Sequence, residues 1–309
     1  MTFSYSVFVP AYNAESTIGA TLRSLLTQQL SAEQVVVIDD GSTDDTVGRC
    51  RSAGVECIST THVGLAGVRN IALDMATAPW FAMLDADDTW SPTMAAAHAE
   101  ASRNLSAEVA AVTAQLQPFG AAATAWKRRV ATRSAGGVQV VAPEQLWDHN
   151  PLTASATFLR VAAVRSVGGW DASLGCAEDY DMALRLWAGG HELASIEEVH
   201  GHYLVRSDSL TAKVATCLYA ERDVFRAFFA TQRRSAQLPG VSLDNRLRKA
   251  WLRGAARAAN YGQALTQLPP LQEFVGRGPT ERVLDTAVRN RFTGRLAASM
   301  WRGVAALRG

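Results

Sequence analysis

The sequence predicts an α/β protein with a mostly parallel β-sheet flanked by helices, followed by an α-helical C-terminal region. Short apolar runs alternate with segments in which apolar residues recur at helical spacing. One run, residues 35–38, is continuously apolar, which is typical of a strand buried on both faces of a parallel sheet. Beyond about residue 220 the helical spacing continues without strand-like runs. The alternation favours right-handed βαβ units.

The first part of the chain predicts four strands separated by three helices. β-branched and aromatic residues predict a first strand that stops at Pro10. The four predicted strands cover residues 4–9, 35–38, 55–59 and 79–84. The first helix is predicted from the apolar stripe Ile18, Leu22, Leu25 and Leu26. The second follows a cap at Ser42 or Thr43, and the third covers residues 65–75.

The middle of the chain is less regular. Residues 104–141 are rich in Ala and Val and predict further strands, with a loop near residues 126–129. A helix is predicted from Asp179, because apolar residues follow it at helical spacing as far as Gly189 and Gly190, which end it. We expect an α/β domain over about residues 1–215 and a helical, arginine-rich region over 216–309.

Charge is unevenly distributed along the 309 residues, although the net charge is only +1. Residues 221–309 contain 16 Lys and Arg against 6 Asp and Glu, whereas residues 1–220 contain 14 against 23. The acidic first part makes a nucleic-acid partner unexpected. The basic helices carry aromatic residues, so they either contact an anionic membrane or pack as a bundle with solvated arginines. Their basic residues are Arg246, Arg248, Lys249, Arg253, Arg257, Arg291, Arg295 and Arg302.

The sequence also bears on localisation. The N-terminus lacks a basic region followed by an apolar stretch, which is the pattern of a secretory signal. No apolar run approaches the length of a membrane span. We therefore expect a cytoplasmic protein, with peripheral contact at the inner face of the membrane if the basic helices bind lipid.

Polar motifs follow three of the predicted strands. They are residues 10–13, Asp39 with Asp40, and Asp85 with Asp87. Ligands of open parallel sheets bind beyond the carboxyl ends of the strands. Two acidic clusters there would repel each other, and a divalent cation bound by oxygen ligands would relieve that repulsion and bridge a diphosphate. A single Asp-x-Asp is more often a solvated turn or a cap, but the joint occurrence on successive strand ends favours the metal interpretation.

Several segments together resemble glycosyltransferase family 2, whose fold is called GT-A. Residues 7–13 are similar to the family's opening strand and P-x-Y-N turn, and residues 37–46 to its D-D-G-S-x-D-x-T segment. Residues 64–70 are similar to the family's G-x-x-x-A-R-N segment, and residues 81–88 to its F-L-D-x-D-D segment. Residues 168–171 are similar to its G-G-F-D motif, and residues 178–181 to its E-D motif. They occur in family order across about two-thirds of the chain.

The resemblance implies a hexosyltransferase-type enzyme that transfers a sugar, with inversion, from a nucleoside-diphosphate sugar to an acceptor hydroxyl. The implied setting is surface polysaccharide or glycolipid synthesis, with a carbohydrate or lipid-linked acceptor. The implied cofactor is Mn²⁺ or Mg²⁺. The residues implied to bind the donor are Pro10, Ala11, Tyr12, Asp39, Asp40, Arg69, Asp85 and Arg206. Among them, Tyr12 would pack near the base, Asp39 would accept a hydrogen bond that favours uracil, and Arg69 would approach the diphosphate.

The resemblance also implies the metal ligands and the base. Asp87, with Asp85 beside it, would hold the cation. Asp179, with Glu178 next to it, is expected to be the catalytic carboxylate, because inversion needs a base opposite the leaving group. Alternatively, Glu178 or Asp179 caps the helix that follows. A carboxylate can do both, because its two oxygens point in different directions.

One departure from the family pattern concerns residues 203–211, where Arg206 stands in place of a frequent histidine. Arginine cannot ligate a metal but can pair with a diphosphate. His200 and His202, two apart on a predicted strand, are an alternative pair of metal ligands, although such a pair is more often a partly exposed strand edge.

The other functions considered are a nucleotidyltransferase, whose Gly-rich phosphate loop is missing after the first strand, and a degenerate relative that only binds nucleotide.

Overall fold

The structure is a computed structural model that describes residues 3–103, 105–120, 123, 137–231, 242–261 and 263–275. The chain divides into two compact units, Met1–Phe119 with Arg128–Leu204, and Gly120–Lys127 with Val205–Gly309. The domain boundary expected near residue 215 stays a prediction. The loop expected at 126–129 and the basic residues 291, 295 and 302 lie outside the described residues.

The first 103 residues alternate between strands and helices. The elements are β1 (Tyr5–Ala11), α1 (Ile18–Leu26), β2 (Gln34–Asp39), α2 (Thr46–Ser52), β3 (Glu56–Ser59), α3 (Gly64–Met75), β4 (Trp80–Met83), β5 (Thr89–Trp90) and α4 (Met94–Arg103). β1 lies between β2 and β4 and is parallel to both, and β3 adds to β2 in parallel. The expected βαβ arrangement is confirmed, and the carboxyl ends of β1, β2 and β4 meet at one edge of the sheet.

Burial explains the apolar patterns of these elements. Residues 36–38 of β2 are 0% exposed, as expected of a strand covered on both faces. Burying a side chain such as Val or Ile stabilises the fold by ~1.5–3 kcal/mol relative to its exposed state. In α1, Ile18, Leu22 and Leu25 are buried as predicted, whereas Leu26 is 58% exposed. The apolar face of α1 is therefore one residue narrower than the sequence predicts.

The rest of the first unit extends the same sheet. Its elements are β6 (Val109–Phe119), β7 (Val138–Val140), α5 (Pro143–Asp148), β8 (Thr157–Arg160), α6 (Val161–Ser166), α7 (Glu178–Ala188) and β9 (Glu192–Leu204). The strand order is β3-β2-β1-β4-β8-β6-β9-β5, and β7 pairs with β9. β8 runs antiparallel to both β4 and β6, while β6 and β9 are parallel. The sheet is thus mixed but mostly parallel around β1.

In the second unit the described helices are α8 (Val214–Thr231) and α9 (Leu243–Asn260). Arg246 of α9 is buried, and its guanidinium lies 3.9 Å from the ring centroid of Phe225. Arg246 Nη2 and Arg253 Nη2 both donate to Glu221 Oε1, at 2.7 and 2.9 Å. Both arginines are thus paired within the unit, and the buried Arg246 differs from the solvated arginines that the bundle interpretation expects. None of the helices in the described ranges is long and apolar enough to cross a bilayer.

Candidate active site

The ends of β1 and β2 lie side by side and form the first part of the site. Ala11 pairs with Asp39 in the parallel register. Pro10 and Ala11 are buried at the end of β1, whereas Tyr12, the next residue, is 52% exposed. Asn13 then adopts a positive φ of 49°, and its side chain bonds to the loop after β2. The expected turn after the first strand therefore presents the Tyr12 ring at the surface of the sheet edge.

Asp39 and Asp40 are both buried but have different surroundings. Asp39 Oδ1 accepts a hydrogen bond of 3.3 Å from the Ser42 backbone N–H. The Asp40 carboxylate accepts from the backbone N–H groups of Val63 at 2.7 Å and Gly64 at 3.0 Å. Gly64 is the first residue of α3, so Asp40 fixes the loop that leads into this helix. The expected donor contact of Asp40 stays a prediction, and its carboxylate is already engaged by the chain itself.

His62 is a neighbour of Tyr12 to which sequence reasoning assigned no role. The two ring centroids are 4.6 Å apart, and His62 Nδ1 lies 3.0 Å from Asp40 Oδ2. Asp40 therefore orients the His62 ring beside the exposed Tyr12 ring. The sequence signal was the position of His62 between β3 and α3, but only the structure shows that this loop reaches Tyr12.

The acidic turn after β4 is held by two distant segments. The Asp85 N–H donates to Ser155 Oγ at 3.2 Å, and Asp88 Oδ1 accepts from the Leu204 N–H at 2.9 Å. Burial raises the pKa of Asp85, an effect partly offset by the Arg69 charge. Burial, followed by the charges of Asp85 and Asp87, raises the pKa of Asp88 well above its ordinary value. Negative charge is therefore crowded into this turn.

The same turn contains a carboxylate oxygen that suits a cation. Asp88 Oδ2 is buried and meets hydrogen-bond geometry with none of the described residues. Carboxylate oxygens are the ligands that Mg²⁺ and Mn²⁺ prefer. Within the described ranges, no group of three or more His, Cys, Asp or Glu side chains is arranged to hold a metal by itself. The turn therefore fits a hard divalent cation only if other oxygens complete its coordination.

Arg69, from α3, is almost completely buried. It is 3% exposed, and its Nη1 contacts Oε1 of Glu178, which is 5% exposed. Glu178, Asp85 and Asp179 all attract its charge and together hold the pKa of Arg69 above its ordinary value despite burial. The structure thus brings three of the predicted site carboxylates around the guanidinium group of a fourth predicted residue, Arg69. The predicted diphosphate contact of Arg69 stays untested.

Asp179 lies in the first turn of α7. The residue before the helix, Ala177, has a left-handed φ of 63°, which is uncommon for a residue with a Cβ. Burial, followed by the charge of Glu178, raises the pKa of Asp179 to about 6, and Arg69 acts in the opposite direction. Its Oδ1 accepts a 2.8 Å hydrogen bond from the Tyr180 N–H. Asp179 therefore has the properties of a carboxylate that can accept a proton near neutral pH.

A mainly apolar cavity adjoins Asp179. It contains about 340 Å³ of empty space, part of which opens to solvent. Asp179 and Arg69 provide its charged wall, and Trp170, Met83 and Met182 are among the apolar residues that line it. The cavity therefore places the two charged groups in a poorly hydrated environment.

Asn70 and Trp170 form a second connection beside the Arg69 contact. Asn70 Oδ1 accepts from the Trp170 N–H at 2.7 Å, and Asn70 Nδ2 donates to the Trp170 carbonyl at 2.8 Å. Gly169 has a φ of 71°, and a Cβ there would approach Asn70 Oδ1 to 2.7 Å. The sequence placed Asn70 and Trp170 in separate motifs, and only the structure shows that they are paired.

Arg206 lies in the second unit, where its Nε contacts Asp208 Oδ1 at 3.1 Å. Its predicted donor contact stays a prediction.

The structure also shows the contacts of His200 and His202, the alternative pair of metal ligands. His200 Nδ1 is 2.9 Å from Thr93 Oγ1, and the His202 ring makes an edge contact with Phe119.

Comparison with known families identifies the family to which the chain belongs. The model of the family described as glycosyl transferase family 2 matches residues 6–164, just over half of the chain. The protein therefore belongs to glycosyl transferase family 2 and is a transferase enzyme. The resemblance drawn from the motifs is confirmed, and the comparison favours a glycosyltransferase over the nucleotidyltransferase alternative.

Curated relatives match a shorter segment. UDP-Glc:alpha-D-GlcNAc-diphosphoundecaprenol beta-1,3-glucosyltransferase WfaP of Escherichia coli is 38% identical over 92 residues, which are 28% of this chain and 37% of the relative. Amylovoran biosynthesis glycosyltransferase AmsB of Erwinia amylovora is 38% identical over 95 residues, 28% of this chain and 32% of the relative. The matched segment thus spans about a third of each relative's length.

Solved structures share the fold over almost the whole chain. S. aureus TarS 1-349 in complex with UDP has a TM-score of 0.55 at 16% identity, covering 97% of this chain and 92% of that one. Mannosyltransferase PcManGT from Pyrobaculum calidifontis, in complex with GDP-Man and Mn²⁺, has a TM-score of 0.59 at 18% identity, covering 96% and 83%. The predicted GT-A fold is confirmed.

Proposed function

We propose that the protein transfers a sugar from a UDP-linked donor to an acceptor hydroxyl with inversion at the anomeric carbon. One observation carries the proposal: Asp179, with a pKa raised to about 6, lines a cavity with Arg69, whose charge is also attracted by Asp85. A potential base and an acidic strand end thus share one charged cluster.

The donor's base is proposed to bind at the ends of β1 and β2. Pro10 and Ala11 would form the floor, and Tyr12, which is 52% exposed, offers a ring for stacking. Asp39 would accept a hydrogen bond from the N–H of a uracil ring. The complex of the TarS neighbour with UDP supports the choice of nucleotide.

Mn²⁺ or Mg²⁺ is proposed to bind at Asp87 with Asp85. The crowded negative charge of this turn and the buried Asp88 oxygen support a cation there. The cation, when bound, would supply positive charge to the departing diphosphate. Since the described residues form no complete metal site, the diphosphate oxygens would have to complete the coordination. Nucleotide and metal should therefore bind together.

The chemical step is proposed to use Asp179 as general base. Its carboxylate removes the proton from the acceptor hydroxyl as that oxygen forms a bond to the anomeric carbon. The bond between this carbon and the diphosphate oxygen breaks, and the nucleoside diphosphate leaves from the opposite face. With a pKa of about 6, Asp179 is deprotonated at neutral pH but remains basic enough to take a proton.

The acceptor is proposed to be a lipid-linked or polysaccharide sugar, presented at the inner face of the cytoplasmic membrane. The WfaP relative is named for a diphosphoundecaprenol acceptor, which supports this class. Residues 221–309 contain 16 Lys and Arg against 6 Asp and Glu. This positive charge supports peripheral contact with anionic lipid. Fewer of these charges are available than the sequence suggests, because Arg246 and Arg253 are paired with Glu221.

The proposal is tested by measuring thermal stabilisation of the full chain with UDP, GDP and dTDP, each with and without Mn²⁺. We expect the largest stabilisation from UDP with Mn²⁺, and slow release of UDP from a UDP-sugar without acceptor. No stabilisation by any nucleotide, with or without metal, would contradict the proposed donor site.

A further inference from the structure

Two consecutive residues of α3 bind both ends of residues 170–179, which we call the acceptor-side segment because it ends at the proposed base for the acceptor hydroxyl. Arg69 contacts Glu178 at the start of α7, and Asn70 makes paired hydrogen bonds to Trp170. Trp170 and Asp179 line the same cavity. α3 therefore fixes the segment between residues 170 and 179, which ends at the proposed base.

Arg69 is poorly placed to bind a diphosphate. It is 3% exposed, and its guanidinium already contacts the buried Glu178 carboxylate. Phosphate oxygens bound to the same group would have to share its charge with Glu178, whose buried carboxylate needs that counter-charge. Glu178 is likewise poorly placed to act as a base, because its carboxylate is paired and 5% exposed.

We propose that Arg69 and Glu178 are positioning residues for Asp179, and that neither is a ligand of the donor diphosphate nor a proton acceptor. This inference rests on the proposed function. Glu178 directly precedes Asp179, so anchoring its carboxylate on α3 fixes the first turn of α7. Ala177, just before it, has a φ of 63°, so the backbone at this point is held in a conformation that Ala rarely adopts.

The charges facing Asp179 give this arrangement a distinctive signature. Glu178, on the same helix, raises the pKa of Asp179, whereas Arg69, from α3, lowers it. Asp85, from the end of β4, acts on Arg69. Removing Glu178 and removing Arg69 should therefore shift the ionisation of Asp179 in opposite directions. A pair whose charges did not face Asp179 would produce neither shift.

The first test measures the pH dependence of UDP release from UDP-glucose and from UDP-N-acetylglucosamine with Mn²⁺. Glu178→Gln should move the acid limb of kcat to lower pH, and Arg69→Met should move it to higher pH. Both should lower kcat by about tenfold or more, since small displacements of a catalytic group cost up to ~100-fold. Arg69→Lys, which keeps the charge, should restore the position of the acid limb.

Asp181→Asn is the matched control. Asp181 is an acid in the same first turn of α7, but it pairs with Arg185 instead of Arg69. Its replacement should leave the acid limb in place. Acid limbs that move in the same direction in Glu178→Gln and Arg69→Met, or that stay in place in both, would overturn the inference.

The second test does not depend on turnover. Calorimetry with Mn²⁺ compares the affinities of UMP and UDP for the wild type and for Arg69→Met and Arg69→Lys. If Arg69 is a positioning residue, the preference for UDP over UMP is unchanged. If Arg69 binds the β-phosphate, the preference falls in Arg69→Met and the inference is wrong. Failure of the wild type to bind either nucleotide would instead contradict the proposed function.

Discussion

The donor-side strand ends and the acceptor-side segment are stabilised in different ways. The turns after β1 and β2 are held mainly by hydrogen bonds between the two neighbouring loops, such as the one from the Asn13 N–H to Ser42 Oγ, and they leave Tyr12 exposed. The acceptor-side segment is held by a buried ion pair that joins residues 109 positions apart, Arg69 and Glu178. The difference teaches that the donor-side turns leave an aromatic ring open to solvent, whereas the acceptor-side segment is fixed next to one carboxylate, Asp179.

Asp179→Asn should have the largest effect. General-base catalysis contributes ~10²–10⁴-fold, so kcat for transfer or for donor hydrolysis should fall by that factor. Affinity for UDP with Mn²⁺ should remain close to that of the wild type. Kinetics and calorimetry on the same preparation measure the two effects. Equal losses in turnover and in nucleotide affinity would assign Asp179 to structure and remove the contrast between the two sides.

The raised pKa of Asp179 adds a pH dependence. Activity of the wild type should decline as pH falls below about 6, because the protonated carboxyl cannot accept a proton. The pKa of Asp179 is higher in the folded protein than in the unfolded chain, so folding takes up a proton between these two values. The free energy of unfolding therefore decreases as the pH rises toward 6, and Asp179 destabilises the fold above that pH. Asp179→Asn should therefore raise the melting temperature at neutral pH. A lower melting temperature in the variant would contradict the desolvation of this group.

Asp87→Asn should act on the donor side. Mn²⁺ should tighten UDP binding in the wild type, and this gain should fall by about tenfold or more in the variant, equivalent to ~1.4 kcal/mol. Titrations of UDP with and without Mn²⁺ measure the gain. Asp45→Asn is the control, because the Asp45 side chain is 62% exposed. This variant should keep the full gain in UDP affinity from Mn²⁺. A metal effect that survives in Asp87→Asn would exclude Asp87 as a ligand.

Tyr12→Ala should weaken nucleotide binding without changing its metal dependence. Stacking of a base on an aromatic side chain contributes ~1–3 kcal/mol, so the Kd for UDP should rise by roughly tenfold or more. Leu26→Ala, at another exposed apolar position in the same unit, should leave the Kd unchanged. Unaltered affinity in Tyr12→Ala would place the base elsewhere.

Ala177→Gly should have the smallest effect. A left-handed conformation costs ~1–2 kcal/mol for a residue with a Cβ, and glycine's larger unfolded-state entropy offsets ~0.5–1 kcal/mol of the relief. A small rise in the melting temperature is expected. Ala97→Gly, in the regular helix α4, should lower it instead. A fall in Ala177→Gly as well would show that this backbone position carries no strain.

Much of the fold followed from local patterns. The continuous apolar run of β2 and the helical stripe of α1 predicted their elements, because burial on one or two faces leaves a fixed periodicity. Residues 104–160 were harder to predict. β8 lies between β4 and β6 and is antiparallel to both, and such non-local pairing leaves no signature within the strand itself.

The sequence by itself determined the strand-end motifs, since a turn and its polar residues lie within a few positions of the strand that presents them. Only the tertiary structure decided that Arg69 faces Glu178 and that Asn70 pairs with Trp170. It also decided that Asp40 is engaged by the loop before α3 while the Asp39 carboxylate next to it accepts from Ser42. The physical reason is that the partner of a buried charge depends on which elements pack together, and that packing is a property of the whole sheet.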